Sequence, residues 1–435
     1  MKKWLLFVSI LYSLSSVAQQ HAAAWGECPK DWNDFKIGLV CENYPILKAR
    51  IKQAIKENAK LDYRYIYINN GVDPATNAIS WLFTAWSDYA KESVELGVSP
   101  AYVIYMLQEE GGRTALLKNI NDAAFMKKYF SSVKIVAEKS KGMKSIFILE
   151  PDTWGYYLQT GLEQNLNLDP TKEPAHVNDL GVGYEWLQGI PNTMSGVVQG
   201  LIKTIRTYAP DAYCGVLMSH WAVFANGATG PGTSNGNQGM VYWTPGDIEY
   251  SAQKNAEFGN SLVGTGDRGD FVGVEKNGWS AGRWKVQNGI TYWYWSDKEN
   301  ANWVNWTKKM AQTMDMPALG WQISIGHMGL ANSNNSYEDT FFPYFYTHPQ
   351  DFMNAGLIGF LVGKGVADDT DFTNLNGNDM DANDGQKGDK GWFFEQMKAF
   401  DKNRPYTCIA TSVNEVDQSK NHFTIDIIPN KGLRA

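Results

Sequence analysis

The sequence has no cluster of basic residues and no long apolar run beyond its first residues. Its 39 lysines and arginines are outnumbered by 46 aspartates and glutamates, which gives a formal net charge of −7. An acidic chain without a basic patch is a poor partner for nucleic acid or an anionic membrane. No later apolar stretch is long enough to span a bilayer. We therefore expect no nucleic-acid partner and no membrane partner, and we expect a monomer.

The apolar run at the start of the chain is typical of a secretory signal. Lys2 and Lys3 precede it, it extends from Trp4 to Leu14, and small residues at 16–18 follow as a cleavage site. The run is too short to cross a bilayer. Residues 1–18 are therefore predicted to be a signal peptide, and the mature protein is predicted to be secreted or periplasmic.

Cysteine is scarce, with 4 residues in 435. In an exported chain this number favours two disulfides over a thiol catalyst. Cys28 and Cys41 would close a short N-terminal loop, which leaves Cys214 and Cys408 for each other. Three pairings are formally possible.

Motifs of several common enzyme classes are also missing. The chain has no Gly-x-Ser-x-Gly elbow, no His-Glu-x-x-His helix and no Gly-Lys-Ser/Thr phosphate loop. Two of the three histidines His220, His327 and His348 could bind a metal with nearby carboxylates, but an isolated histidine of this kind more often hydrogen-bonds a substrate. We therefore predict a site without metal or cofactor.

The acidic stretch 368–389 is the one place where an ion remains an alternative. Its run from Asp379 to Gly385 is similar to a calcium-binding loop. However, the glycine comes one place late, and Lys390 occupies the twelfth position, where a glutamate is required. We interpret the stretch as a solvated loop, with calcium as the alternative.

Aromatic residues, in contrast, are abundant, with 17 tryptophans and 22 tyrosines. Several tryptophans lie in glycine- and asparagine-rich segments, where a core role is less natural: Trp154, Trp243, Trp279 and Trp284. Flat aromatic faces in a polar groove suit the C–H faces of sugar rings. This is a tendency that many proteins share, so it indicates a carbohydrate ligand without establishing one.

Apolar runs typical of buried strands alternate with helical patterns along most of the chain. The predicted strands are Tyr63–Ile68, Ala101–Leu107, Ile146–Leu149, Tyr213–Met218, Phe271–Val274, Leu319–Ile325 and Leu357–Val362. Seven β–α units in succession require parallel strands and right-handed crossovers. At this length we predict a single, TIM-like (β/α) barrel, distorted to seven strands, over an open doubly wound sheet. The barrel domain would cover 61–405, with an N-terminal extension at 19–60 and a tail at 406–435.

Loop lengths place the functional end of this barrel. Helix-to-strand connections are short, as at 97–100 and 209–212, whereas strand-to-helix connections are long, as at 152–190 and 275–301. In a βα barrel the strand-to-helix loops all emerge on one face, which carries the active site. The asymmetry therefore predicts an enzyme.

Acidic, aromatic and basic side chains follow the predicted strands at that face. In chain order they are Glu110, Glu150, Asp152, Trp154, His220, Trp221, Glu275, Trp279, His327, Lys364 and Asp369. Several carboxylates in one cleft drive their pKa values apart, so that one can act as an acid while another acts as a base. Glycoside hydrolysis requires such a pair.

At these residues the chain resembles glycoside hydrolase family 6, whose members are inverting cellulases with a distorted seven-stranded barrel. The nearest match is the run from Ile148 to Asp152, since that family has an apolar run followed by Glu-Pro-Asp. The resemblance implies that Asp152 is the general acid and that Glu150 is a supporting carboxylate. It also implies that Glu110 tunes the acid.

The resemblance departs from the family pattern at the other strand ends. Met218-Ser219-His220 keeps the family's histidine and loses its aspartate. Lys364 is kept, and Asp369 lies one residue short of the proposed base position. Glu275, which the family pattern lacks, is an alternative base. His220, His327 and Lys364 would contact the substrate, and the tryptophans at 154, 221 and 279 would stack on sugars.

We therefore predict a secreted glycoside hydrolase acting on a β-glucan or cellulose-type polysaccharide. Two alternatives stay open. One is a barrel that binds polysaccharide without cleaving it, because half of the family pattern is missing. The other is a retaining glycosidase that uses Glu150 and Glu275 as its pair.

Overall fold

The structure is a computed structural model. It describes residues 21–22, 25–41, 45–56, 58–69, 88–108, 112–164, 166–223, 243–276, 296–325, 340–363, 392–405, 407 and 409–410. Within these ranges no helix is long and apolar enough to cross a membrane.

The described chain forms a closed barrel of eight parallel strands, which confirms the TIM-like α/β fold. The barrel strands are β2 (Lys36–Val40), β3 (Tyr63–Ile68), β4 (Ser99–Ile104), β5 (Ile146–Leu149), β6 (Tyr213–Met218), β7 (Val272–Glu275), β8 (Ala318–Ile323) and β9 (Leu357–Val362). Each pairs with its neighbours in chain order, and β2 closes the circle against β9. Two further strands, β1 (His21–Ala22) and β10 (Ile409–Ala410), pair antiparallel outside the barrel.

The eighth barrel strand is β2, which lies in the segment expected to be an N-terminal extension. It has only five residues and stands among polar sequence, so its local pattern is weak. Its backbone pairs Gly38 with Tyr63 on one side and with Leu361 on the other. These partners are distant in the sequence, and only closure of the barrel brings them together.

Helices surround the barrel. They are α1 (Pro45–Lys56), α2 (Tyr89–Glu95), α3 (Gly112–Ile120), α4 (Ala123–Lys139), α5 (Thr153–Glu163), α6 (Met194–Tyr208), α7 (Pro245–Val263), α8 (Asp297–Met314), α9 (Phe341–Thr347), α10 (Pro349–Asn354) and α11 (Trp392–Asp401). Capping side chains determine where some of these helices begin. The Asp122 carboxylate accepts the N–H groups of Ala124 and Phe125, and Thr244 and Asp247 form a capping box at the start of α7.

Side-chain alternation along the strands divides the core into two layers. On β5, Ile146 and Ile148 point into the barrel, whereas Phe147 and Leu149 face the helices. The barrel interior is rich in aromatic residues and is closed at its amino end by Trp32, whose indole N–H donates to the Ile358 carbonyl at 3.1 Å. A filled interior leaves the carboxyl end of the barrel as the place for a cleft.

Both predicted disulfides are wrong. Cys41 and Cys214 are buried thiols, and each was assigned to a different pair. Cys41 follows the last residue of β2, and Cys214 faces the helix layer from β6. The spacing of the cysteines suggested the pairs, but the barrel buries these two among apolar side chains.

Candidate functional site

The turn after β5 sends its two carboxylates in opposite directions. Glu150 and Asp152 both have left-handed backbone conformations, with φ of 53° and 63°. This conformation costs a residue other than glycine about 1–2 kcal/mol. Continued alternation after Ile148 would turn Glu150 into the barrel, but the turn directs it outward instead. The side chain of Asp152 points into the barrel in its place.

Glu150 is buried and holds the backbone of the neighbouring loop. Its carboxylate accepts the N–H groups of Met106 and Leu107 at 3.1–3.2 Å and the hydroxyls of Tyr129 and Thr153 at 2.9 and 3.0 Å. Burial raises its pKa to about 7, and these hydrogen bonds oppose the rise. With 0% exposure, Glu150 is placed to support the loop rather than to touch a ligand.

Asp152 lies at the mouth of the barrel, where it is partly exposed. The Tyr105 hydroxyl donates to its Oδ2 at 3.3 Å, and Tyr105 in turn accepts the side-chain amide of Gln108. Burial raises the pKa of Asp152 to about 6, while the hydrogen bond from Tyr105 lowers it. A carboxyl group with this pKa is partly protonated near neutral pH, as a general acid must be.

Glu275 ends β7 at an inward position, two strands away from β5. Alternation from Phe271, in the interior core, through Gly273 points its side chain into the barrel. Its Oε2 accepts the indole N–H of Trp221 at 2.8 Å, and its backbone carbonyl accepts the indole N–H of Trp303 at 2.8 Å. Two indoles therefore fix both the backbone and the carboxylate.

Trp221 links the two carboxylate-bearing elements. Its ring packs against Tyr156 of α5 at 4.9 Å between centroids, and its carbonyl accepts the side-chain amide of Gln159. It also lies over Gly155, where a Cβ atom would come within 2.8 Å of the ring. A glycine at this helix position therefore lets Trp221 approach closely enough to reach Glu275.

Asp152 and Glu275 act on the same two tyrosines. Burial is the first cause that raises the pKa of Tyr67 and of Tyr156, and the negative charges of both carboxylates raise each further. Tyr156 is 37% exposed, so it presents a ring beside the cleft. Both carboxylates therefore stand at the carboxyl ends of barrel strands, and each lies close enough to Tyr67 and Tyr156 for its charge to act on them.

Two residues expected to contact substrate lie in the core instead. Trp154 is 0% exposed and donates its indole N–H to the Leu149 carbonyl. His220 is buried edge-on to Trp306 in the helix layer, and burial lowers its pKa to about 3. A hydrogen bond with the backbone of Glu275 opposes this fall. Trp154 and His220 both come after the end of a strand, and both side chains point outward to the helices. The spacing in the sequence did not reveal this direction.

Other expected site residues lie outside the described residues: Glu110, Trp279, His327, Lys364, Asp369 and the acidic stretch 368–389. Among the residues that are described, no group of three histidine, cysteine, aspartate or glutamate side chains could hold a metal ion.

Sequence reasoning missed the polar residues that surround the carboxylates: Tyr67, Tyr105, Gln108, Tyr156 and Gln322. Tyr105 carried a usable signal, because it continues the inward alternation of Ala101 and Val103 on β4. Gln322 carried none, since its direction depends on an irregularity in β8.

No protein-family model matches the sequence, and no curated protein matches it. Solved structures with a similar chain path include the endoglucanase CEL6B from Humicola insolens, 13% identical over 84% of this chain and 96% of that chain, with a TM-score of 0.38. They also include a GH1 β-glucosidase from Humicola insolens, 12% identical over 87% and 99%, with a TM-score of 0.43. PbGH5A, a family 5 glycoside hydrolase from Prevotella bryantii B14, is 8% identical over 84% and 95%, with a TM-score of 0.43.

At these sequence identities and TM-scores, the similarity says nothing about the family or the activity of this protein. Endoglucanases and β-glucosidases of different families occur together among these structures, so they favour no single family. The strand pairing in this chain establishes the barrel. Its function has to be inferred from the residues of its own site.

Proposed function

We propose that this protein is a secreted or periplasmic glycoside hydrolase that cleaves a β-glucan or cellulose-type polysaccharide. The observation that carries the proposal is the pairing of Asp152 and Glu275. Both are inward carboxylates at the carboxyl ends of barrel strands, and they act on the same two tyrosines. Two carboxylates that face one space, one with a raised pKa, are the equipment of glycoside hydrolysis.

Asp152 serves as the acid in this proposal. Its pKa of about 6 keeps a proton available, and transfer of that proton to the glycosidic oxygen lets the leaving sugar depart as an alcohol. Tyr105 and Gln108 hold the carboxyl group in place. Tyr156 offers a partly exposed ring at the rim, where a sugar face can pack.

Glu275 serves as the partner carboxylate. It either removes a proton from the attacking water or attacks the anomeric carbon itself. The N–H of Trp221 donates to one of its oxygens at 2.8 Å, which fixes the position of the carboxylate. Asp369 is the other candidate base from the sequence. Glu150 is a weaker partner, because its carboxylate already binds backbone and hydroxyl groups away from the cleft.

The test is a reducing-sugar screen of purified polysaccharides with wild type and Asp152→Asn. Acid–base assistance contributes about 10²–10⁴ in rate, so we expect kcat to fall by that factor on the polysaccharide that wild type cleaves. Asp211→Asn is the matched control, since this exposed residue precedes β6 at the opposite end of the barrel. It should keep wild-type activity.

Full activity in Asp152→Asn, with unfolding unchanged, would refute the assignment of the acid. Binding of a polysaccharide without release of reducing sugar by wild type would favour a non-catalytic barrel. Anomeric analysis of the first product by NMR then tells whether Glu275 activates water, which inverts the configuration, or attacks the sugar, which retains it.

A further inference from the structure

Tyrosines form a column inside the barrel along β3. Tyr63, Tyr65 and Tyr67 occupy alternate positions, and the first two are buried in the interior core. Tyr67 is the last of the three and is partly exposed. Its hydroxyl therefore reaches the carboxyl end of the barrel, in the space where the charges of Asp152 and Glu275 act on it.

Gln322 reaches the same hydroxyl from β8. The residue has φ of 53°, and the pairing of β8 with β9 shifts register between Trp321 and Ile323. Such a bulge turns one side chain away from its regular direction. The Gln322 side-chain amide donates to the Tyr67 oxygen at 2.9 Å. A strained residue whose side chain enters a cleft is a reason to look for a function.

The same glutamine–tyrosine arrangement occurs twice around the cleft, with one difference. Gln108 donates to the oxygen of Tyr105, and the Tyr105 hydroxyl donates onward to Asp152. Gln322 donates to the oxygen of Tyr67, and a hydrogen bond from the Tyr65 side chain lowers the Tyr67 pKa, so both partners act as donors to this oxygen. Since Tyr67 already accepts a hydrogen bond, its own hydrogen is directed away from Gln322.

We propose that the Tyr67 hydroxyl donates a hydrogen bond to an oxygen of the sugar bound between Asp152 and Glu275, and that Gln322 is the positioning residue that sets its direction. This inference rests on the proposed function and names a further contact in the same site. A sugar supplies acceptor oxygens at its ring and hydroxyl groups, and a phenol that stays protonated is a suitable donor for them.

Tyr67→Phe tests the donor and Gln322→Met tests its positioning, because each removes one partner at nearly constant volume. A hydrogen bond of this kind contributes a factor of about ten, so Tyr67→Phe should lower kcat/KM about tenfold. Gln322→Met should lower it less. In the Tyr67→Phe background, Gln322→Met should have no further effect, since it acts only through the hydroxyl.

Tyr63→Phe is the matched control, as it makes the same change at the amino end of the same strand. It should leave kcat/KM unchanged. A purely structural role of Tyr67 would instead lower thermal stability without a loss of kcat/KM in the folded protein. Unchanged kcat/KM in Tyr67→Phe, or additive effects in the double variant, would overturn the inference while the proposed hydrolysis stood.

Binding supplies a readout that does not need turnover. In the Asp152→Asn background, calorimetric affinity for cellohexaose should fall about tenfold when Tyr67→Phe is added. If wild type binds cellohexaose without cleaving it, this affinity loss still supports the contact, and the proposed catalysis alone fails. If wild type neither binds nor cleaves it or any other glucan, both proposals are overturned.

Discussion

At the scale of single residues, the site depends on how two adjacent carboxylates differ in their surroundings. Glu150 accepts four hydrogen-bonding groups of the protein, two of them backbone N–H groups. Among the residues that the structure describes, one group donates to Asp152, the Tyr105 hydroxyl. Burial raises the pKa of both groups, but the oxygens of Glu150 are occupied by the protein and the residue is fully buried. Asp152 is partly exposed, so it is the one that can pass its proton to a substrate.

The raised pKa of Asp152 predicts the alkaline limb of the pH profile. An acid is active when protonated, so kcat should fall as the pH rises through about 6, the pKa to which burial raises this group. Below that value the proton is in place, and the acid no longer limits the rate. The measurement is kcat as a function of pH on a soluble substrate.

Tyr105→Phe provides the comparison for this limb. The Tyr105 hydroxyl stabilises the ionised form of Asp152, so its removal should move the limb to higher pH. If the alkaline limb stays at the same pH in Tyr105→Phe, the group that titrates there is not Asp152.

At the scale of elements, helix α5 and the segment that carries Trp221 must approach closely. Gly155 makes this approach possible. A Cβ atom there would lie 2.8–3.3 Å from three atoms of the Trp221 ring, closer than ordinary van der Waals contact. The ring would have to move, and with it the indole N–H that Glu275 accepts.

Gly155→Ala should therefore lower kcat and fail to stabilise the protein. Glycine inside a helix ordinarily costs about 1 kcal/mol relative to alanine, so the substitution would otherwise raise Tm. Gly246→Ala in α7 is the control, because its Cβ would meet only the Thr244 hydroxyl at 3.8 Å. Thermal unfolding and near-UV circular dichroism of the tryptophans report the two effects. A higher Tm with full activity in Gly155→Ala would contradict this account.

At the scale of the whole molecule, the number of free thiols tests whether a disulfide joins the N-terminal and C-terminal segments of the chain. Cys41 and Cys214 are buried as thiols, and burial raises the pKa of Cys214 well above its ordinary value. Of the four cysteines, Cys28 and Cys408 then remain for a disulfide. Cys408 precedes Ile409, which pairs with Ala22, and Cys28 lies shortly after Ala22 in the sequence.

We expect the folded, unreduced protein to react with no thiol reagent and the denatured, unreduced protein to show two thiols. Buried thiols are protected in the native state because they are inaccessible and protonated. Alkylation followed by peptide mapping should place the label on Cys41 and Cys214. Label on Cys28, or a titre of four, would show that the ends of the chain are not joined in this way.

The order of elements could be predicted from the sequence to a large extent. Four strands, among them Tyr63–Ile68 and Ile146–Leu149, have the predicted bounds. Buried parallel strands are continuous apolar runs, and a local pattern of this kind is visible without any partner. The run that ends in Glu150 and Asp152 also placed these carboxylates at the carboxyl end of a barrel strand, because the direction of the chain is known from the sequence.

Only the tertiary structure decided which side chains face the cleft. Gln322 meets Tyr67 across 255 residues of sequence, and β2 finds its place only when the barrel closes. Trp154 enters the core, and Glu150 turns outward at a left-handed residue. Sequence specifies local conformation through short-range sterics and apolar periodicity. The direction of a side chain at a strand end depends instead on backbone irregularities and packing, which the closed barrel imposes.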